Sequence, residues 1–267
     1  GLESIRSWRH VRFLLWCAAL IACAEGIVGI KQALTGRASG VAQEYLNSGR
    51  LTGTMNSPRV GNLLSLLLPL AIVAPFATLS SRQKPRSTWK NAALCAFLTL
   101  PALFLLVFTK TRSGWIGFAV ALFALVLLRF GRRPALLLLL AVAIGGMLDM
   151  PDNLTWAAVT ADQRWTIWGA ALDVFLAHPL LGTGIDTFGD ARVAMGITFN
   201  FDYMAHPHNI YLQALAETGI IGFAALLAFL FGSLACMAGP LWRRRALRPD
   251  PRFLMAAAPA AAWAGYM

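Results

Sequence analysis

Seven long apolar runs dominate the sequence, and they decide what surroundings the chain can fold in. The runs cover approximately residues 12–30, 60–80, 91–109, 114–130, 134–149, 209–239 and 253–267. A helix needs about 20 mainly apolar residues to cross the hydrocarbon core of a bilayer. Only 13% of the residues are charged and 58% are hydrophobic, which argues against a water-soluble domain. The sequence therefore predicts an all-α polytopic membrane protein with about seven spans.

Lysine and arginine are distributed unevenly between the two sides of such a protein. The chain has 23 of them against 12 aspartates and glutamates, and most fall in alternate short loops near residues 6–12, 82–90, 129–133 and 243–252. Short loops rich in basic residues stay on the cytoplasmic side of the membrane. Topology therefore accounts for the net charge of +11, and we expect contact with membrane lipids and no nucleic-acid partner.

This orientation divides the chain into three segments. Residues 1–149 hold five predicted spans, residues 150–207 form one long periplasmic loop, and residues 208–267 hold the remaining spans. Within the loop, apolar residues recur at helical spacing from Arg164 to Leu176, which predicts a short amphipathic helix. The final apolar run is shorter than a full span, so we expect a truncated last helix in a chain that is part of a longer protein.

Two arginine-bearing segments lie on the predicted outer side. Lys110 and Arg112 occupy a tight turn between two spans, and Arg164 begins the amphipathic segment beside Trp165 and Trp168. One interpretation of each is an interfacial anchor for the adjoining helix. The other is a clamp for an anion, since the planar guanidinium group matches the geometry of phosphate oxygens.

A third group follows the loop, with His206 and His208 on either side of a proline and Glu217 further into the next span. The histidines have three interpretations: a structural role, a metal site with His178 or Asp202 as weak further ligands, or a general base. A charged residue at the depth of Glu217 is either functional or solvated at a helix end. The sequence has no Asp-x-Asp motif, and its four cysteines lie in apolar runs without a C-x-x-C pair, so we predict no metal site.

Four motifs together resemble those of the O-antigen ligase and O-antigen polymerase superfamily. His208-Asn209, nine residues and Gly219-x-x-Gly222 match its histidine signature, and Thr111–Trp115 is similar to its Ser/Thr-Arg motif. The run His178–Gly184 with a following Phe188 resembles a motif of its large periplasmic loop. The stretch 53–58 resembles another, although the order Asn-Ser-Pro-Arg departs from the family pattern.

The resemblance implies an inner-membrane glycosyltransferase that works on the periplasmic face. Its donor would be a glycan on undecaprenyl diphosphate, and its acceptor lipid A–core or another lipid-linked glycan, with no cofactor. The family's essential histidine falls on His208, and its diphosphate-binding arginines fall on Arg112 and Arg164. We therefore expect these three residues to be catalytic. Substrate binding is expected from Arg112, Arg164, Lys110, His206, Asn209 and Glu217.

Two other functions fit the same features. A protein O-oligosaccharyltransferase would share the architecture and differ in its acceptor. A transporter or flippase for lipid-linked sugars would instead carry polar or broken helices near the bilayer midplane. The ionisable residues of this chain gather at the predicted outer interface, which favours chemistry at that surface.

Overall fold

A computed structural model describes residues 8–38, 41–78, 88–148, 163–199, 206–243 and 251–266, and within these residues all regular structure is helical. The helices are α1 (Trp8–Thr35), α2 (Val41–Asn47), α3 (Ser57–Val73), α4 (Thr88–Phe108), α5 (Arg112–Phe130), α6 (Arg132–Leu148), α7 (Arg164–Ala177), α8 (Phe188–Ala194), α9 (Ile210–Arg243) and α10 (Pro251–Tyr266). A 3₁₀ turn at Ala74–Thr78 continues α3. The chain divides into two compact units, residues 1–149 with 234–267 and residues 150–233.

The membrane character of the chain is confirmed by the length and composition of its helices. Four described helical segments are long and apolar enough to cross a membrane: Trp8–Thr35, Arg59–Phe76, Arg112–Phe130 and Ile210–Arg243. The runs predicted at 91–109, 134–149 and 253–267 are helical where they are described, but they fall outside this group. The all-α class is therefore confirmed, whereas the number of spans and the periplasmic side of the loop stay predictions.

The first unit packs its helices closely through small residues. Gly26 of α1 lies against the backbone at Pro101 of α4, and a Cβ at Gly114 of α5 would come within 2.7 Å of the Gly61 carbonyl oxygen in α3. Such contacts are typical of membrane helices, where backbones approach without large side chains between them. Large apolar side chains of α1 such as Phe13 remain exposed, as expected for a surface that faces lipid.

The helix contacts of the first unit define its two ends. Gly26 and Gly29 of α1 meet Pro101 and Leu105 of α4 in the same order along both helices, so these two helices run parallel. The Leu51 N–H donates to the Phe108 carbonyl at 3.0 Å, which brings the start of α3 to the end of α4. One end of the unit therefore carries the end of α1, the starts of α3 and α5 and the turn between α4 and α5.

The second unit contains α7, α8 and the part of α9 before residue 234. Its core consists of Ile167, Ala170, Ala171, Val174, Phe188, Phe199 and Ala216. The α7 members of this core have helical spacing, so a helix at 164–176 is confirmed with nearly the same bounds. Its amphipathic character is weaker than predicted, because the apolar Trp165, Leu172 and Leu176 lie on the exposed side. Residues 150–162 and 200–205, which include the weak metal candidate Asp202, lie outside the described residues.

Candidate active site

The turn that carries Lys110 and Arg112 joins α4 to α5 in the first unit. Thr111 is the N-cap residue of α5, and Arg112 is the first residue of the helix. The Thr109 hydroxyl donates to the Leu106 carbonyl at 2.8 Å and accepts the Thr111 N–H at 3.3 Å, which closes the turn. The Arg50 guanidinium donates to the Lys110 carbonyl at 3.0 Å. Three basic side chains therefore originate at or beside this one turn.

Contacts with α3 and α4 hold the start of α5 in place. The Ser113 hydroxyl donates to Asn62 Oδ1 at 2.7 Å, and the Trp115 indole N–H donates to the Leu106 carbonyl at 2.8 Å. Arg112 thus projects from a helix start that is held on two sides. The Trp115 N–H, which the sequence leaves unassigned, takes part in closing the turn.

Two polar residues of α1, Glu25 and Gln32, hold the stretch 53–58. Both lie towards the end of α1 that is predicted to face outside. Gln32 Oε1 accepts the N–H groups of Thr52 and Gly53, both at 3.1 Å. The buried Glu25 carboxylate accepts the N–H of Thr54 at 2.9 Å and also its hydroxyl. Neither Glu25 nor Gln32 is among the predicted site residues, although the two are seven residues apart and therefore share a helix face.

His208 lies two residues before helix α9 in the second unit, and its side chain is exposed. The Asn209 side chain caps the helix, because its Oδ1 accepts the N–H groups of Tyr211 at 3.0 Å and Leu212 at 3.3 Å. His208 has a left-handed φ of 54°, which is uncommon for a residue other than glycine. The family signature therefore places its histidine at a helix start that is fixed by the next residue.

His206 occupies different surroundings from His208. Its Nδ1 lies 3.7 Å from Asp186 Oδ1, and both side chains are exposed. Pro207 between the histidines is buried, and its carbonyl accepts the Trp168 indole N–H at 3.1 Å. The two histidines consequently have different neighbours, although only one residue separates them.

Arg164 begins α7, and its side chain is exposed. Trp168 lies four residues later, on the same side of the helix as Arg164, and packs edge-on against Trp165 with ring centroids 5.1 Å apart. Because Trp168 also binds the Pro207 carbonyl, the structure brings the helix of Arg164 to the histidine segment. No property of the sequence indicated this contact.

Glu217 lies 4% exposed inside the second unit. Its Oε1 accepts the Phe188 N–H at 3.3 Å, and the Gln213 side-chain amide lies 3.3 Å from both carboxylate oxygens. The carboxylate therefore supports the start of α8 and is withdrawn from solvent. This burial excludes the solvated helix end, and a functional role for Glu217 stays a prediction.

The loop motif at 178–184 and Gly219, the first glycine of the histidine signature, form one structural feature. Gly219 interrupts α9 with φ 62° and ψ −167°. The loop replaces the missing helical hydrogen bonds: Gly184 donates to the Glu217 carbonyl at 2.8 Å, and Ile220 donates to the Pro179 carbonyl at 2.9 Å. A Cβ at Gly182 would overlap the backbone of Glu217, and a Cβ at Gly219 would overlap that of Leu180. Both positions therefore require glycine for close approach.

The predicted site residues thus fall into two groups. Lys110 and Arg112 share one turn of the first unit. The second unit holds Arg164, His206, His208, Asn209 and Glu217. Across the part of the chain that the structure describes, no three His, Cys, Asp or Glu side chains are grouped so that they could hold a metal ion.

Comparison with known proteins agrees with the motifs. Residues 95–227 match a family model described as O-antigen ligase. The chain is 36% identical over 135 residues to the O-antigen ligase of Pseudomonas aeruginosa, covering 48% of this chain and 31% of that protein. It is also 24% identical over 212 residues to a Rickettsia conorii protein that is provisionally named a polysaccharide ligase. This match covers 70% of this chain and 49% of that protein. The chain therefore spans half or less of the length of these two relatives.

Proposed function

We propose that this chain, whose residues 95–227 match the family model of O-antigen ligases, transfers a glycan from undecaprenyl diphosphate to an acceptor hydroxyl. The reaction would take place at the periplasmic face of the inner membrane. The observation that carries the proposal is the position of His208. It lies in the histidine signature, exposed and held in a left-handed conformation directly before the Asn209 cap.

In the proposed reaction His208 acts as the general base. Its imidazole takes the proton of the acceptor hydroxyl while the hydroxyl oxygen attacks the anomeric carbon of the donor glycan. The bond between that carbon and the diphosphate oxygen breaks, and the electron pair leaves with undecaprenyl diphosphate. Attack opposite the leaving group inverts the anomeric configuration.

Arg112 and Arg164 are proposed to bind the diphosphate. Negative charge builds on the leaving oxygen as the glycosidic bond breaks, and fixed cationic donors stabilise it without reorganising. Guanidinium groups suit this role because they donate two parallel hydrogen bonds to phosphate oxygens. Lys110 adds a further positive charge beside Arg112. With these cations on the diphosphate, the transfer is proposed to need no divalent metal.

The remaining predicted residues are proposed to support substrate binding, in two cases by positioning other groups. Asn209 Oδ1 is engaged with the α9 backbone, so this residue positions His208. The buried Glu217 carboxylate holds the start of α8 and positions the loop beside the kink. His206 is exposed beside Asp186. It is therefore proposed to contact the substrate from solvent, two residues before the proposed base.

Transfer can be tested in membranes that contain the protein, with a fluorescent glycan on undecaprenyl diphosphate as donor. Lipid A–core, a second lipid-linked glycan and a serine-containing peptide are supplied separately as acceptors. We expect a glycosylated product with one of the first two acceptors and loss of that product in His208→Ala. Product on the peptide alone would instead establish a protein O-oligosaccharyltransferase. Movement of the donor across the bilayer without any product would overturn the proposal in favour of a transporter.

A further inference from the structure

A cavity of about 930 Å³ lies in the first unit, between the end of α1 and the segment that leads into α3. Its volume falls within the range of small-molecule sites. Lys31 of α1, Arg37 of the following loop and Arg59 of α3 line it. Val28 and Met55 add apolar surface to the same wall. The motifs that the proposed function uses leave this cavity without a role.

The cavity wall is held by hydrogen bonds of the surrounding loops. Gln32 and Glu25 fix residues 52–54, as described above. Asn56 Oδ1 caps α3 by accepting the Arg59 N–H at 3.1 Å. On the other side, Gln43 of α2 accepts the Ala38 N–H at 2.7 Å, next to Arg37. The three cations therefore project from segments that are fixed without a ligand, which lowers the entropy cost of binding one.

The charge of the cavity is unbalanced. Among the residues that line it there is no aspartate or glutamate. The nearby Glu25 carboxylate lies buried behind Thr54, whose N–H and hydroxyl it accepts, and Glu44 of α2 is outside the lining. Three positive charges around one cavity repel one another and raise the local positive potential, so an anion that enters is attracted and relieves the repulsion.

The chemistry of the lining indicates the class of ligand. Two guanidinium groups and one ammonium group match a phosphoryl group, which offers several oxygens and more than one negative charge. The volume exceeds what a phosphate alone needs, and the apolar wall suits the adjoining body of an amphiphile. We propose that this cavity is an anion subsite in which Lys31, Arg37 and Arg59 bind a phosphoryl group on the head of a membrane-anchored amphiphile.

Two sources share this chemistry, a phosphorylated glycolipid and the bulk anionic phospholipid of the membrane. The test measures binding of fluorescent lipid A to the purified 267-residue chain in neutral detergent micelles. The cavity variant carries Lys31→Gln, Arg37→Gln and Arg59→Gln. The matched control carries Arg9→Gln, Arg132→Gln and Arg133→Gln, which removes the same charge from exposed residues that do not line the cavity.

We expect the cavity variant to bind lipid A at least about tenfold more weakly than the parent chain, because three charged donors are lost. The control should stay within about twofold of the parent. As a measurement that does not depend on a variant folding, the parent chain should bind dephosphorylated lipid A as weakly as the cavity variant binds the intact lipid. Equal affinity of the parent for the two lipids, or equal loss in both variants, would overturn the subsite.

Competition with phosphatidylglycerol separates the two sources. If equimolar phosphatidylglycerol displaces lipid A, the subsite holds bulk phospholipid. If lipid A remains bound against a large excess, it holds a glycolipid. Either result supports the phosphoryl subsite and names its source. Since the measurement is binding and not transfer, its outcome is independent of whether the proposed glycosyl transfer takes place.

Discussion

Among the described residues, three that are not glycine have a left-handed φ: Lys110 at 51°, Asp186 at 63° and His208 at 54°. This conformation costs free energy for a residue with a side chain, and it persists only where the surroundings hold it. Lys110 and His208 are residues that the sequence selects for chemistry, and Asp186 lies beside His206. At Lys110 and His208, the unusual backbone conformation therefore coincides with residues that the motifs select.

The roles of the two histidines can be separated by single substitutions. His208→Ala should reduce transfer by roughly 10²–10⁴-fold, the usual effect of losing a general base, with donor binding largely kept. His206→Ala should cost clearly less, because His206 lies beside Asp186 and not at the capped helix start. Turnover and donor affinity are measured for both variants. A dead His206→Ala beside a near-normal His208→Ala would show that the base is assigned wrongly.

The arginines should respond differently from the histidines. Arg112→Ala or Arg164→Ala should weaken donor binding and turnover together, each by roughly 10- to 100-fold, because a charged hydrogen bond to the diphosphate is lost. Arg112→Lys and Arg164→Lys should recover only part of this, since an ammonium group lacks the paired donors of guanidinium. Arg132→Gln, which removes an exposed arginine from the start of α6, serves as the control. Full activity in both lysine variants would contradict bidentate binding.

At the scale of elements, the second unit depends on how the loop 178–184 fits the kink at Gly219. The loop and the helix exchange backbone hydrogen bonds in both directions, and the glycines allow their backbones to touch. The position of His208 depends on this arrangement indirectly, since His208 lies two residues before the helix that the loop contacts. The loop motif and the histidine signature therefore pack against each other around Gly219.

This packing can be tested by adding one methyl group at a time. Gly182→Ala and Gly219→Ala should each lower the stability of the chain by about 1–3 kcal/mol, because the new Cβ overlaps backbone and φ is positive at both sites. Gly169→Ala on α7 is the matched control, since a Cβ there meets nothing within 4 Å. Thermal unfolding in detergent measures all three. Unchanged melting temperatures in the first two variants would rule out the interlocked arrangement.

At the scale of the whole molecule, orientation decides whether the site is reached from the periplasm. The end of the first unit that carries Lys110 and Arg112 is predicted to be periplasmic. The exposed Ser48 lies in the segment that joins α2 to α3 at this end, and Arg132 begins α6 on the predicted cytoplasmic side. Both residues are described by the structure, unlike residues 153 and 248 in the longest predicted periplasmic and cytoplasmic loops.

Cysteine labelling tests this orientation. In a chain whose four native cysteines are replaced, Ser48→Cys should react with a membrane-impermeant maleimide added to intact cells. Arg132→Cys should react only after the membrane is opened. Because both side chains are exposed, a difference in labelling reports sidedness and not burial. The opposite pattern would move Lys110 and Arg112 to the cytoplasmic face and remove the basis for a periplasmic donor.

The proposed lack of a metal requirement is also a property of the whole molecule, because the ligands of a metal ion would come from several segments of the chain. Transfer measured with and without EDTA should be similar, since cationic side chains are proposed to neutralise the leaving diphosphate. Loss of activity that Mg²⁺ or Mn²⁺ restores would contradict this. It would then point to the aspartates of the long loop, part of which lies outside the described residues.

The sequence by itself determined the helical class, the membrane setting, the helix at 164–176 and the resemblance to the O-antigen ligase family. These properties follow from the length of apolar runs, from helical periodicity and from motif spacing, all of which are local along the chain. Only the tertiary structure decided that Glu217 is buried under α8 and that Trp168 joins α7 to the histidine segment. It alone brought Lys31, Arg37 and Arg59 around one cavity. Such contacts join residues from separate elements, and a local sequence pattern does not predict which elements will pack together.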